Sequence, residues 1–214
     1  MFIMKNYLVL ILICLCQQLF AQENNNQLTA IIIGSGSPKF NTERSGPAVL
    51  ISYKDTNILI DMGGNGTQAN LNKLNLKVKD LDGLLFTHHH LDHNEEFAPI
   101  FIQSLLGKNK TTIAGPKQTT LIIDNILEIY EEDIEYRLSK SGRSLSNVKT
   151  NFIAKNLTGN SPLYIGDIKI TYTSVNHTIE TLAYRFDAGG ESIVISGDLT
   201  YSKSLPILLT TPII

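Results

Sequence analysis

A chain of 214 residues, 43% hydrophobic and 18% charged, carries enough apolar mass for one well-buried domain and too little charge for a disordered one. Its formal charge of −2 provides no broad cationic surface, which disfavours a function built on gripping a nucleic-acid backbone.

The N-terminus opens with Lys5, an apolar run from Tyr7 to Cys16, and Leu19-Phe20-Ala21 ahead of the polar Gln22-Glu23-Asn24-Asn25-Asn26. That layout predicts a signal peptide over residues 1–21, cleaved after Ala21, and a periplasmic or secreted protein whose single domain covers 22–214. Cys14 and Cys16 leave with the leader, so disulfides and thiolate ligands are not expected, and metal ligands have to come from His and Asp. The leader is too short to read as a spanning helix, and no transmembrane span is expected after its removal.

Downstream, Leu28 to Ile33 reads as a strand that stops at Gly34-Ser35-Gly36-Ser37-Pro38, and Ala48 to Tyr53 and Asn57 to Ile60 read as a strand pair. The glycine-rich Asp61 to Gly66 loop leads into a short helix over Thr67 to Leu74. Gly83 to Phe86 has the apolar composition of a buried strand. Helical spacing follows over Glu95 to Leu106, with Pro99 in the first turn, and a strand over Thr111 to Ala114. Leu121 to Leu138 reads as one long helix, with Leu121, Ile122, Asn125, Ile126 and Ile129 on its apolar face and Glu128, Glu131 and Glu132 on a solvated one. Strands over Ile168 to Val175, Leu182 to Phe186 and Ser192 to Ile195 close the pattern, the last two joined at Gly189-Gly190. Alternating strands and helices place the chain in the layered α/β class.

Four of the five histidines lie in Thr87-His88-His89-His90-Leu91-Asp92-His93, directly after the apolar Leu84-Leu85-Phe86. Residues two apart in extended chain face one side, so His88 and His90 can converge on one ion, while Asp92 and His93 turn toward a neighbouring one. His89 faces the other way and is better read as packing support. His177 and Asp198 each follow an apolar strand, at the ends where α/β proteins gather their sites.

The motif His88-x-His90-x-Asp92-His93, with His177 and the Ser196-Gly197-Asp198 turn, resembles the metallo-β-lactamase superfamily. Gly34 to Pro38, Arg44-Ser45-Gly46-Pro47 and Ile60-Asp61-Met62-Gly63 further resemble its ribonuclease Z and arylsulfatase-like branch. The resemblance implies an αββα sandwich with a dinuclear zinc site. His88, His90 and His177 would hold one Zn2+, Asp92 and His93 the other, Asp198 would bridge, and Asp61 would support the histidine loop from below. Two such ions lower the pKa of a shared water toward about 7, and Asp92 can orient that nucleophile by hydrogen bonding. The implied activity is a zinc-dependent hydrolase acting on phosphodiester or sulfate-ester bonds, a cyclic nucleotide or aryl ester suiting an exported enzyme. A β-lactamase, lactonase or thioesterase specificity, and an inactive zinc-binding remnant, stay open. The expected partner is a small ester substrate rather than nucleic acid, with a homodimer also open.

Two departures stand out. Glu96 occupies a position where many members carry glycine, and no histidine follows His177, although the family pattern supplies one more to the second metal. The apolar Leu205 to Ile214 tail therefore reads as the end of a C-terminally truncated sandwich, incomplete in its second half and one ligand short.

Overall fold

The computed structural model describes residues 26–107 and 110–210, so the predicted signal segment over 1–21 and both cysteines lie outside the described residues. The first sheet holds six strands in sequential order: β1 (Thr29–Gly34), β2 (Ala48–Tyr53), β3 (Thr56–Ile60), β4 (Gly83–Leu85), β5 (Thr111–Gly115) and β6 (Phe152–Asn156). β1 to β3 pair antiparallel, and β3 to β6 run parallel. The second sheet is antiparallel, with β7 (Leu163–Ile165), β8 (Ile168–Val175), β9 (Thr181–Ala188) and β10 (Glu191–Ile195) in the order β10-β9-β8-β7.

Side-chain alternation along the strands divides the core. Ile58, Ile60 and Leu85 of the first sheet meet Ile168, Ile170, Leu182, Tyr184 and Phe186 of the second between the layers. Leu59, Leu84 and Ile113 point the opposite way, onto helices α1 (Thr67–Lys73), α2 (Phe97–Leu106), α3 (Thr119–Ile129), α4 (Glu131–Ser139) and α5 (Leu145–Val148). On the outer side of the second sheet, Val175 and Ala183 pack against Leu208 of α6 (Leu205–Thr210). The order of layers is therefore helix, sheet, sheet, helix, the sandwich the sequence predicts.

The fourth layer is pinned by charge. Arg185 alternates outward with Ala183, is 2% exposed, and donates from Nη1 to the carbonyls of Leu208 (3.0 Å) and Leu209 (3.2 Å) while its Nε donates to Asp187 at 2.8 Å. A buried guanidinium thus satisfies the open carbonyls at the end of α6. The tail from Leu205 to Thr210 is accordingly helical, with Pro206 tolerated in the first turn.

Two sequence expectations are corrected. Leu121 to Leu138 is two helices, broken at Tyr130. Glu131, Glu132 and Asp133 occupy the first turn of α4, where carboxylates favour a helix N-terminus, and Ile134 and Leu138 reach the core. The apolar face also differs: Ile123 and Leu127 are buried, whereas Leu121 and Ile129 are 54% and 72% exposed. The strands β6 and β7 and helix α5 were not legible, being three to five residues long. At the predicted hairpin, Gly189 and Gly190 have φ of 59° and 80°, the two left-handed residues that a tight turn between right-twisted strands needs.

Candidate metal centre

Four strands of both sheets deliver their C-terminal ends to one edge of the sandwich. β3 ends one residue before Asp61, β4 three residues before His88, β8 two residues before His177 and β10 three residues before Asp198. The β4 exit is held from both sides. Phe86 N–H donates to Ala114 O, and the buried Tyr184 hydroxyl of the second sheet donates to Phe86 O at 2.6 Å. Burial keeps that phenol well above its usual pKa, so it remains a donor.

Asp61 organises the histidines. Its Oδ1 accepts Thr87 N–H and its Oδ2 accepts Thr87 Oγ1–H, both at 2.7 Å, and Oδ2 lies 2.8 Å from His93 Nδ1. Thr87 Oγ1 is 3.0 Å from His88 Nδ1. Since that hydroxyl spends its proton on Asp61, His88 Nδ1 is the donor, and the proton on His93 Nδ1 likewise points to Asp61. Both rings are left with Nε2 free, the arrangement in which a carboxylate or hydroxyl fixes the tautomer of a metal-binding histidine. Burial raises the pKa of Asp61 against the lowering pull of His93 and Thr87. For His93, burial lowers the pKa but the hydrogen bond and charge of Asp61, with Asp198 and Asp92, raise it.

The structure brings His88, His90 and His177 together. His88 Nε2 and His177 Nε2 lie 3.0 and 3.2 Å from His90 Nδ1, and His90 Nε2 is 3.2 Å from Thr178 Oγ1. Burial, then the charges of His93, His90, His177 and His89, push the pKa of His88 down to about 3, so its ring is neutral at pH 7. A second group joins His88, His93 and Asp198, and each group has its donor atoms within 4.8 Å of one another. Asp92 flanks the second group: its Oδ2 and that of Asp198 are each 3.7 Å from His93 Nε2. His93 and Asp92 are nearly enclosed, while the Asp198 side chain is 55% exposed.

The donor set fits a divalent metal. Two nitrogens bound at about 2.0–2.1 Å to a tetrahedral zinc lie roughly 3.3 Å apart, close to the spacing of the three imidazoles. The neutral His88 ring, with the carboxylates of Asp92 and Asp198 near His93, completes a nitrogen and oxygen donor set of the kind that zinc takes.

His89 turns away, as its alternation requires. Its ring packs on Phe86, its Nε2 lies 3.0 Å from Thr119 Oγ1, and burial lowers its pKa to about 4. Sequence reasoning missed Thr87, Thr178 and Tyr184 as supports; only Thr87 carried a signal, a hydroxyl at the strand end beside the first histidine. It also missed the turn at Lys117 and Gln118 and the pair Ile179 and Glu180, which share a cavity with His89 and His90. Glu96, a departure from the family pattern, has a local role. Its carboxylate accepts the N–H groups of Gly66, Thr67 and Gln68 at 2.6, 3.1 and 2.9 Å, capping α1 from outside.

Two stacked sheets with this cluster along one edge define a metallo-β-lactamase-fold protein. The short form of human tRNase Z superposes with a TM-score of 0.65 at 18% identity, covering 81% of this chain and 70% of that one. The metallo-β-lactamase-fold protein YhfI of Bacillus subtilis gives 0.61 at 21% identity, over 85% and 67% of the two chains. The family model of the Anti-Pycsar protein Apyc1 matches residues 28–211, and the chain belongs to that family. It is also similar to ribonuclease Z of Methanopyrus kandleri, 27% identical over 184 residues, and of Clostridium novyi, 29% over 163 residues. These alignments take in 85% and 74% of this chain but only 57% and 50% of the two ribonucleases, so the chain spans little more than half their length.

Proposed function

We propose that the protein is a zinc-dependent hydrolase of small phosphodiesters. The observation that carries the reading is the convergence of His88, His90 and His177 beside the His88, His93 and Asp198 group. Divalent ions held there would supply Lewis acidity toward a phosphoryl oxygen and lower the pKa of a reacting water. His88, His90 and His177 would hold one ion and His93 and Asp198 the other, with Asp92 beside them. Asp61 and Thr87 keep the two Nδ1 protons of His93 and His88 turned inward, so that the free nitrogens face the substrate side. The Asp92 carboxylate, next to His93 Nε2, accepts a hydrogen bond from the attacking water and orients it.

The likeness to ribonuclease Z supports phosphodiester chemistry over sulfate esters, lactones or thioesters. The charge of −2 supports a small diester, a cyclic nucleotide or aryl ester, over RNA. Among the described residues no helix is long and apolar enough to cross a membrane. Export through the 1–21 segment is part of the same proposal.

Metal analysis and turnover of bis-p-nitrophenyl phosphate test it. Close to two zinc ions per chain with hydrolysis is the expected result, and His88→Ala is expected to lose both. One zinc or none, with no turnover, overturns the enzyme reading in favour of an inactive remnant, and faster cleavage of a tRNA precursor than of any small diester overturns the substrate class.

A further inference from the structure

The helix layer holds a cleft of about 430 Å³ between α1, α2 and the single helical turn over Val78–Asp80. Near their N-terminal ends the two helices are tied together. Glu96, directly before α2, accepts the first N–H groups of α1, and the side-chain amides of Gln68 and Gln103 hydrogen-bond to each other. The Val78–Asp80 turn leads into β4 and α2 leads into β5, so this end of the cleft stands at the start of the parallel strands. The histidines and Asp198 follow the opposite, C-terminal ends of their strands. A molecule held in the cleft is therefore a second ligand and not one presented to the metals.

The lining has two parts. Its floor is hydrocarbon: Leu71 and Val78 are buried, while Leu76 and Leu106 pack on the core and stay half-open to the cleft. Its rim is cationic. Lys77 and Lys79 border the opening, and among the described residues no carboxylate lines it. Asp80, between and beyond these lysines, is turned back onto Lys77 N–H at 3.1 Å. The carbonyls at the end of α2, which would repel an anion, are covered as well. Arg143 donates from Nη1 to Gly107 O at 3.0 Å and from Nη2 to Leu106 O at 2.7 Å.

That combination selects the occupant. Inorganic phosphate would engage the ammonium groups and leave the leucine floor wet, and a neutral hydrocarbon would cover the floor without using the charge. No aromatic side chain lines the cleft, so a flat ring finds no face to stack on, whereas a flexible chain follows an aliphatic floor. Gln68 and Gln103 are spent on each other, so a charged head falls to the lysines. At roughly 30 Å³ for each heavy atom the space takes about fourteen of them, the size of a medium-chain carboxylate.

We infer that the cleft between α1 and α2 binds a monomeric fatty carboxylate of medium chain length, with its tail on Leu71, Leu76, Val78 and Leu106 and its head at Lys77 and Lys79.

Calorimetric titration of decanoate into the full chain, once zinc-loaded and once after chelation, tests this. One decanoate per chain is expected, with the same affinity in both states. Octanoate should bind about tenfold more weakly, because two fewer methylenes are buried. Lys77→Ala combined with Lys79→Ala should weaken decanoate about tenfold and leave decanol unchanged, and the corresponding arginine pair should bind decanoate as the wild type does. Absence of decanoate binding overturns the inference. So does binding that requires zinc, which would place the carboxylate on a metal, and so does an affinity that the alanine pair does not alter. A wild-type dimer that Leu76→Lys dissociates in sedimentation, and that decanoate does not, would give the cleft to a second copy of the chain and overturn the inference too.

Discussion

Replacing the Asp61 carboxylate by an amide would preserve its volume but remove one of the two acceptor oxygens that hold Thr87 and His93. With Thr87 N–H and Oγ1–H on opposite oxygens, an asparagine has to turn an N–H toward one of its present donors, and His93 Nδ1 or Thr87 loses its partner. The consequence falls on the metal rather than on the fold, because His93 is then free to present the wrong tautomer or rotate. Asp61→Asn is expected to weaken zinc binding by about 10–100-fold, the usual effect of removing such an orienting group. Competition with a chromophoric chelator measures this, and far-UV circular dichroism checks that the fold is kept. An unchanged affinity would show that Asp61 does not hold His93 in its ligating orientation. The sequence disclosed Asp61 as a support for the loop but not its direct contact with His93, because 32 positions separate the two and only the parallel pairing of β3 with β4 sets them side by side.

At the level of elements, α1 begins without a side-chain cap of its own at Gly66, and its first N–H groups are met by Glu96, some 30 residues on. That carboxylate has a second consequence: Glu96 N–H donates to Met62 O, and Met62 N–H to His93 O, so the cap lies in one hydrogen-bonded unit with the histidine loop. Glu96→Ala leaves the α1 N-terminus open and is expected to cost about 1–2 kcal/mol, with Glu96→Gln losing less. Urea unfolding of the chelator-treated protein reads this difference, and equal midpoints for wild type and Glu96→Ala would refute the cap. Why some elements were legible and others not follows from the same physics. β2, β3, β4 and β8 announce themselves through strong β-branched or apolar patterning that local turns bound cleanly. The long pattern over 121–138 misled because an apolar period continues through Tyr130 while the backbone does not, and only tertiary packing selects Ile123 and Leu127 over Leu121 and Ile129. The clustering residues were readable for a different reason: histidine and aspartate at strand ends have few structural uses, and those the sequence singles out are the ones the fold brings together.

For the molecule as a whole, the first metal group draws from both sheets, since His88 and His90 follow β4 of the first and His177 follows β8 of the second. The same edge is otherwise joined by the Tyr184 hydroxyl on Phe86 O and by Leu182 N–H on Thr87 O. An ion bound by all three imidazoles would therefore act as a clamp between layers, and its binding free energy would enter the stability of the whole sandwich. At free zinc 100 times its dissociation constant the gain is about 2.7 kcal/mol, and for a domain of this size each kcal/mol is worth roughly 2–4 °C in melting temperature. Wild-type protein is thus expected to melt about 5–10 °C higher under that zinc excess than after chelation, with the midpoint rising further as free zinc increases. His177→Ala should melt close to wild type when chelated, its half-buried ring lying at the rim, yet respond to zinc only weakly. Calorimetric melts over a zinc series separate the outcomes: a full rise retained in His177→Ala would mean that the second sheet contributes no ligand to the tight site, and the clamp between layers would be ruled out.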